Sequence, residues 1–290
     1  WWPNGEKNKV FTYDSNILNG EYEEWDSLGT NIVKGLYSDG KQNKKWLYFD
    51  NEGHRVKITF IKMDSIITDY IFEYYTNWQV KEEPKFNDEG EFDGNFKSFY
   101  EGGEVLETYA FTSGLKKDVW LSFYVDERRN VYKFYKLDTL VTDYTFKYYN
   151  NLQIKEEPKF NDKGEFDGIF KSFYEGGETL ETYAFNEGLK QDVWLSYYID
   201  KRRDVYKFYN SDTLITDYTF KYYNNLQIQE EPSFNKNGLY NDKWEKFFLN
   251  GMTSKISYYL DAELSGLSTV IWDSTYNKQS ESIYLNDSLN

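Results

Sequence analysis

Three pairs of neighbouring carboxylates, Glu82-Glu83, Glu156-Glu157 and Glu230-Glu231, are the first residues in this chain whose types suggest acid–base work. Such chemistry needs two groups converging on one reacting atom, and adjacent residues on a strand point to opposite faces. A proline follows each pair (Pro84, Pro158, Pro232), so the pattern predicts solvated strand ends. The runs Asn87-Asp88-Glu89-Gly90-Glu91 and Asn161-Asp162-Lys163-Gly164-Glu165 are rich in oxygen ligands. They lack the ligand order of a calcium loop and Lys163 intrudes, so hairpin turns are expected there. Arg128-Arg129 and Arg202-Arg203 read as turn-edge charges balancing nearby Asp and Glu. The single histidine, His54, stands in Gly53-His54-Arg55 and is expected to be exposed in a turn. The chain has no Cys, which excludes disulfides, thiolate metal sites and cysteine nucleophiles. No phosphate loop or nucleophile elbow is present. The expectation is a non-enzymatic chain with no catalytic residues, no cofactor and no metal.

Charge narrows the partners. There are 49 Asp+Glu against 34 Lys+Arg, a formal charge of −15. Nucleic acid and anionic membranes both require a basic footprint, so neither is an expected partner. No run approaches the roughly 18 apolar residues of a spanning helix, so the chain is not expected to be transmembrane. Aromatic residues make up 21% of the sequence, which excludes a disordered acidic tail.

Positioning comes from repeats. KEEPKFND begins at Lys81 and again at Lys155, and QEEPSFN begins at Gln229, a spacing of 74 residues each time. Residues 69–142 and 143–216 are identical at 56 of 74 positions, which reads as a duplicated block. Each block contains three shorter units, opening at Asp143, Asp167 and Asp192 in the second copy. The same register extends back through Asp118, Asp93, Asp69 and Asn43 to Asn19, and forward through Asp217 and Asn241 to Gly266. About eleven units of 24 to 26 residues result.

Aromatic residues recur three and six positions into a unit, as at Tyr22/Trp25, Phe96/Phe99 and Phe220/Tyr223, and usually again near position seventeen, as at Phe60 and Tyr135. Turn-forming residues separate runs rich in Tyr, Phe, Thr, Val and Ile, the residues of pleated strands. The three-residue aromatic spacing breaks strict alternation and predicts a bulge or an early turn. Helical periodicity is absent. The predicted fold is all-β: one elongated antiparallel array, one hairpin per unit, with aromatic ladders between units in place of a central core. Residues 1–18 and 259–290 are expected to form N- and C-terminal caps around repeats at 19–258.

This pattern resembles the MORN-repeat family, in the variant found in bacterial antitoxin-like repeat proteins. Asn19-Gly20-Glu21-Tyr22-Glu23-Glu24-Trp25 followed by Gly29 carries the resemblance most fully. Asn43-Lys44-Lys45-Trp46-Leu47-Tyr48-Phe49 followed by Gly53 carries it next. Asp93-Gly94-Asn95-Phe96 and Asp167-Gly168-Ile169-Phe170 also fit, whereas Asp69-Tyr70, Asp118-Val119, Asp143-Tyr144, Asp192-Val193 and Asp217-Tyr218 lose the opening glycine. The resemblance implies a hairpin array, an antitoxin or immunity role against a toxin domain, and an extracytoplasmic setting, since many such proteins carry secretion signals.

What remains is an acidic surface lined with Tyr and Trp. Aromatic side chains anchor protein interfaces at low entropic cost, and they also stack on sugars. The +3 aromatics are expected to pack unit on unit. Tyr75, Tyr149 and Tyr223, at +6 on the opposite face, are the candidate partner-binding residues. Steering charge beside hydrophobic anchors suits a basic protein partner. A scaffold subunit of an envelope assembly and a glycan-binding surface protein are the competing readings.

Overall fold

The computed structural model describes residues 1–271 and 278–289. Among them there is no helix; every element is a strand of an antiparallel sheet or a connecting turn. The chain divides into two units, Trp1–Thr145 and Phe146–Asn290.

The first unit opens with a six-stranded meander running Lys9–Asp14, Ile17–Trp25, Asn31–Ser38, Lys41–Phe49, Arg55–Lys62 and Ser65–Ile71. A second sheet then runs from Glu82–Glu83 to Thr139–Thr145. The second unit repeats this plan in sheets from Glu156–Glu157 to Thr213–Thr219 and from Glu230–Glu231 to Ser288–Leu289. The described part of residues 259–290 therefore continues the hairpin pattern; positions 272–277 and 290 lie outside the described residues.

The consecutive antiparallel hairpins are as the repeats predict, but the ladder is not one array. One sheet ends and the next begins between Ile71 and Glu82, between Thr145 and Glu156 and between Thr219 and Glu230, and Pro84, Pro158 or Pro232 then stops the new sheet's opening strand after two residues. Proline has no N–H to donate, so a strand cannot continue its ladder through it. Only isolated bridges survive around the cuts, such as Tyr74↔Val80 and Phe86↔Phe92. In the first unit the displaced hairpin turns under the preceding sheet. Phe86 meets Phe60 with ring centroids 5.2 Å apart, and Thr68 Oγ1 donates to the Gly90 carbonyl at 2.7 Å. The second unit does the same: Phe234 stacks on Tyr206 at 4.0 Å, and Thr216 Oγ1 donates to the Gly238 carbonyl at 2.6 Å.

The core follows the predicted aromatic register. The +3 residues Tyr22, Trp46, Phe72, Phe96, Phe146, Phe170 and Phe220 are all buried. Rings touch from strand to strand: Phe96–Phe111 at 5.0 Å, Phe111–Trp120 at 5.2 Å and Trp120–Tyr135 at 4.8 Å. Each such pair contributes about 0.5–1.5 kcal/mol beyond area burial. The predicted irregularity falls on the +6 residues. Pairing register slips at Trp25, Phe49, Phe99, Phe173 and Phe247, so a bulge ends each of these strands where its second aromatic stands.

Candidate functional site

Every unit has two kinds of turn. One is a two-residue hairpin turn with both central residues at positive φ, as at Leu137-Asp138 and Ser211-Asp212, which matches the twist of the flanking strands. The other is a five-residue turn that begins at the residue after a bulge, as after Phe99, or after an isolated bridge, as after Tyr74. In the turn at Tyr75, the Tyr75 N–H donates to the Gln79 carbonyl at 2.9 Å and the Trp78 N–H donates back to the Tyr75 carbonyl at 3.1 Å. The fourth residue of this turn is left-handed. Gly29, Gly53, Gly103, Gly177 and Gly251 hold that position in other turns.

Five-residue turns are pinned to one another. Tyr75 Oη donates to the Phe99 carbonyl at 2.9 Å, Tyr100 Oη to the Phe123 carbonyl at 2.8 Å, and Asn77 Nδ2 to the Glu101 carbonyl at 2.7 Å. The second unit repeats these bonds from Tyr149 to Phe173 (2.8 Å), Tyr174 to Tyr197 (2.7 Å) and Tyr223 to Phe247 (2.8 Å). Tyr75, Tyr149 and Tyr223 are thus half-buried, with their hydroxyls committed to the neighbouring hairpin. Lys81 and Lys155 also lie over the Tyr75 and Tyr149 rings, at 5.5 and 4.7 Å.

Three residues further along the same turns stand Trp78, Leu152 and Leu226. They are 50%, 55% and 55% exposed. All three occupy the left-handed position, at φ of 64°, 69° and 69°. Leu28, Val125, Ile199 and Leu249 are exposed at the tips of other five-residue turns. Around the first unit's tips lie the exposed carboxylates Glu52, Glu101, Asp126 and Glu127. Tyr75, Tyr149 and Tyr223, the residues singled out from the sequence, open these same turns. The recurring glycine at the fourth turn position is the signal that marks Trp78, Leu152 and Leu226 as misfits.

His54 is half-buried rather than free in solvent. Its ring stacks on Trp78 at 4.3 Å with planes 6° apart, and its Nδ1 lies 3.1 Å from Asp50 Oδ2. His54 closes the five-residue turn that precedes the one carrying Trp78, so the contact joins successive turns. Burial works to raise the Asp50 carboxyl, but bonds from the His54 and Glu52 N–H groups and from the His54 ring hold it below the ordinary range.

The carboxylate pairs divide between faces as the strand geometry requires: Glu83, Glu157 and Glu231 are exposed, while Glu82, Glu156 and Glu230 are not. Glu230 departs from the expectation of a solvated strand end, being only 6% exposed. It is held there by Lys221 at 3.1 Å and Lys246 at 3.2 Å. Burial pushes its carboxyl up, and the two ammonium groups bring it below the ordinary range. Glu82 accepts a bond from Tyr70 Oη at 2.9 Å. The Asn87–Glu91 segment is a turn closed by Asn87 Oδ1, which accepts the Glu91 N–H at 2.8 Å. Arg128 and Arg202 pair with Asp126 and Asp200, each at 2.7 Å. Arg202 also lies over the Tyr198 and Tyr222 rings. Among the described residues no cluster of three or more His, Asp or Glu is placed to hold a metal ion.

No family model and no curated protein matches the chain. Among solved structures it is similar to the crystal structure of TcdB2-TccC3, at 9% identity and TM-score 0.25, covering 96% of this chain and 20% of that one. It is also similar to a Photorhabdus luminescens Tc holotoxin pore (11%, TM-score 0.22, 96% of this chain and 15% of that). A porin-like protein from Bacteroides uniformis matches at 11% and TM-score 0.14, over 90% of this chain and 95% of that one. The chain thus spans about a fifth of the first of these structures, and similarities this low carry no argument about function.

Proposed function

We propose that the chain is a non-enzymatic scaffold that binds a basic protein through the tips of its five-residue turns. One observation carries this reading: Trp78, Leu152 and Leu226 are bulky apolar residues at exposed, left-handed positions. The conformation costs an L-residue roughly 1–2 kcal/mol, and exposure leaves the side chain's apolar area in water. Glycine, which fills this position in most of the other five-residue turns, would avoid both penalties, and the polar Glu127 and Lys201 that hold it in two more leave no apolar side chain in water. Local strain combined with an exposed apolar group is the pattern expected where a partner supplies the missing contact. The tyrosine and asparagine pins hold the tips in place before binding, which lowers the ordering cost of association. Exposed carboxylates beside the tips and the charge of −15 favour a cationic partner. The resemblance of the units at 19–60 to antitoxin-like repeats is in keeping with neutralisation of a toxin domain.

The test is purification of the intact protein from its native source at low salt. The expected result is retention of a basic protein that is released as salt rises, and its loss when Leu152 and Leu226 are both changed to Gly. Isolation of the chain alone, or retention unaffected by those changes, would count against the reading.

A further inference from the structure

A second feature lies away from the turn tips, on a sheet face, and occurs once in each unit. In the first unit a cavity of roughly 280 Å³ is lined by Glu107, Tyr109, Lys116, Trp120, Lys133 and Tyr135, among others. In the second unit a cavity of roughly 540 Å³ is lined by Glu181, Tyr183, Lys190, Trp194, Lys207 and Tyr209. These are the same six residue types, each 74 positions on. None of the positions at which the two blocks differ falls among them.

The construction is the same in both. Trp120 meets Tyr135 at 4.8 Å and Tyr109 at 5.0 Å, with planes tilted by 51° and 56°. Trp194 meets Tyr209 and Tyr183 at the same distances, tilted by 51° and 59°. The tryptophans are fixed by their indole N–H groups, which donate to the Ala110 and Ala184 carbonyls at 3.0 and 2.9 Å. Glu107 and Glu181 each accept the hydroxyl of the adjacent tyrosine. Burial, and then that carboxylate, push the hydroxyls of Tyr109 and Tyr183 well above the ordinary range. Lys116 lies over Trp120 and Tyr135 at 5.0 and 5.2 Å, and Lys190 lies over Trp194 and Tyr209 at 4.9 and 5.2 Å.

The equivalent positions of the other two sheets are closed. In the first sheet they are Gly35, Gln42, Trp46 and Ile61. There Trp46 is 2% exposed and fills the space above Gly35 so closely that a Cβ on that glycine would stand 2.3 Å from the indole. In the fourth sheet Ser257 and Ser268 replace the tyrosine and tryptophan, and their hydroxyls lie 3.4 Å apart. The open, aromatic form is therefore not a necessary product of the hairpin repeat.

We propose that these two cavities bind saccharides bearing a carboxylate, one per unit. The tilted rings and the lysine stems lying over them offer apolar contact to the C–H side of a pyranose ring, while the ammonium and carboxylate groups serve its hydroxyls and its carboxylate. In the first cavity two lysines stand against Glu107 alone, and in the second Lys190 and Lys207 balance Glu181 and Asp204. In a chain of net charge −15, linings that are positive or neutral suit an anionic sugar better than the rest of the surface does. A cationic ligand is disfavoured, because the ring faces that would attract it already carry Lys116 and Lys190. This site is independent of the protein-binding edge, and its failure would leave that reading intact.

The test is titration of the full chain with glucuronate-containing oligosaccharides, neutral gluco-oligosaccharides and sodium acetate, read by calorimetry and tryptophan fluorescence. The proposal expects saturable binding of the acidic oligosaccharide with two sites per chain. Lys116→Gln with Lys190→Gln should weaken it about tenfold or more, while leaving any weaker neutral-sugar binding unchanged. Trp120→Phe with Trp194→Phe, which preserves the packing more closely than alanine, should abolish the fluorescence response. No saturable binding of the acidic sugar would overturn the proposal. So would equal affinity for neutral sugars, equal affinity for acetate, or indifference to the lysine changes in variants that retain the wild-type circular dichroism.

Discussion

Asp138 grips the hairpin before its own at both backbone polar groups of one residue: its N–H donates to the Lys116 carbonyl at 3.0 Å, and its Oδ1 accepts the Lys116 N–H at 2.8 Å. Asp64 holds Gln42, Asp212 holds Lys190 and Asp287 holds Leu264 in the same two-point way. Each aspartate is the second residue of a two-residue turn and lies at positive φ. Aspartate suits the place because its short side chain tolerates that conformation and still reaches the backbone. Neighbouring hairpins are thus joined at the two-residue turns by aspartates and at the five-residue turns by tyrosines and asparagines.

Asp138→Ala should cost about 1–2 kcal/mol, from loss of a charge-assisted bond and of a residue that accepts the left-handed conformation. Asp138→Asn, which keeps the acceptor and the conformational tolerance, should stay within about 0.5 kcal/mol of the native chain. Urea denaturation of the two variants side by side checks the difference.

Leu152→Gly and Leu226→Gly should each raise stability by about 0.5–1 kcal/mol. Relief of the left-handed strain exceeds the entropic cost of a glycine in the unfolded chain. A rise in Tm for the double variant is the expected outcome. A fall would mean that these side chains are held by contacts within the chain.

Gly35→Ala should destabilise the first sheet by about 2–3 kcal/mol, because the added methyl enters space occupied by Trp46 and the backbone of a paired strand cannot yield. The matching change at Gly5, where nothing lies within 4 Å of the added atom, calibrates the effect of a glycine replacement in open space at positive φ. Thermal melts followed by tryptophan fluorescence distinguish the two.

Glu230 makes stability depend on acid. Its folded pKa lies below the ordinary value of 4.5, so its contribution is fully present above that value and is lost as pH falls through the folded pKa. Glu230→Gln should cost about 1–2 kcal/mol near neutrality, with the exposed ends of Lys221 and Lys246 limiting the loss. The penalty should shrink as pH drops below 4.5. A penalty that stays constant across that range would contradict the assignment.

Much of this was legible before the structure. The unit step fixed which aromatics are buried, since Tyr22, Trp46 and Phe96 recur where a strand turns its side chain inward. The three-residue aromatic spacing announced the bulges at Trp25, Phe49 and Phe99. Pro84, Pro158 and Pro232 were read as marking solvated strand ends; each stops the two-residue opening strand of a new sheet, and the break between sheets just before it was not expected. The pinning of Tyr75, Tyr149 and Tyr223 was not legible, because a hydroxyl's partner is a backbone carbonyl one unit away and any residue type supplies one. Glu230 looked solvated because its two lysine partners, Lys221 beyond the strand Thr213–Thr219 and Lys246 in the strand Asp242–Phe247, are brought beside it only by the fold.

The central claim is that the strained apolar tips of the five-residue turns exist for a partner. Comparing the intact chain with its Leu152→Gly, Leu226→Gly double variant for partner retention, from the native source at low salt, tests it most directly. The account predicts a variant that is at least as stable as the parent and has lost the basic partner. A variant that keeps the partner with undiminished affinity would contradict it.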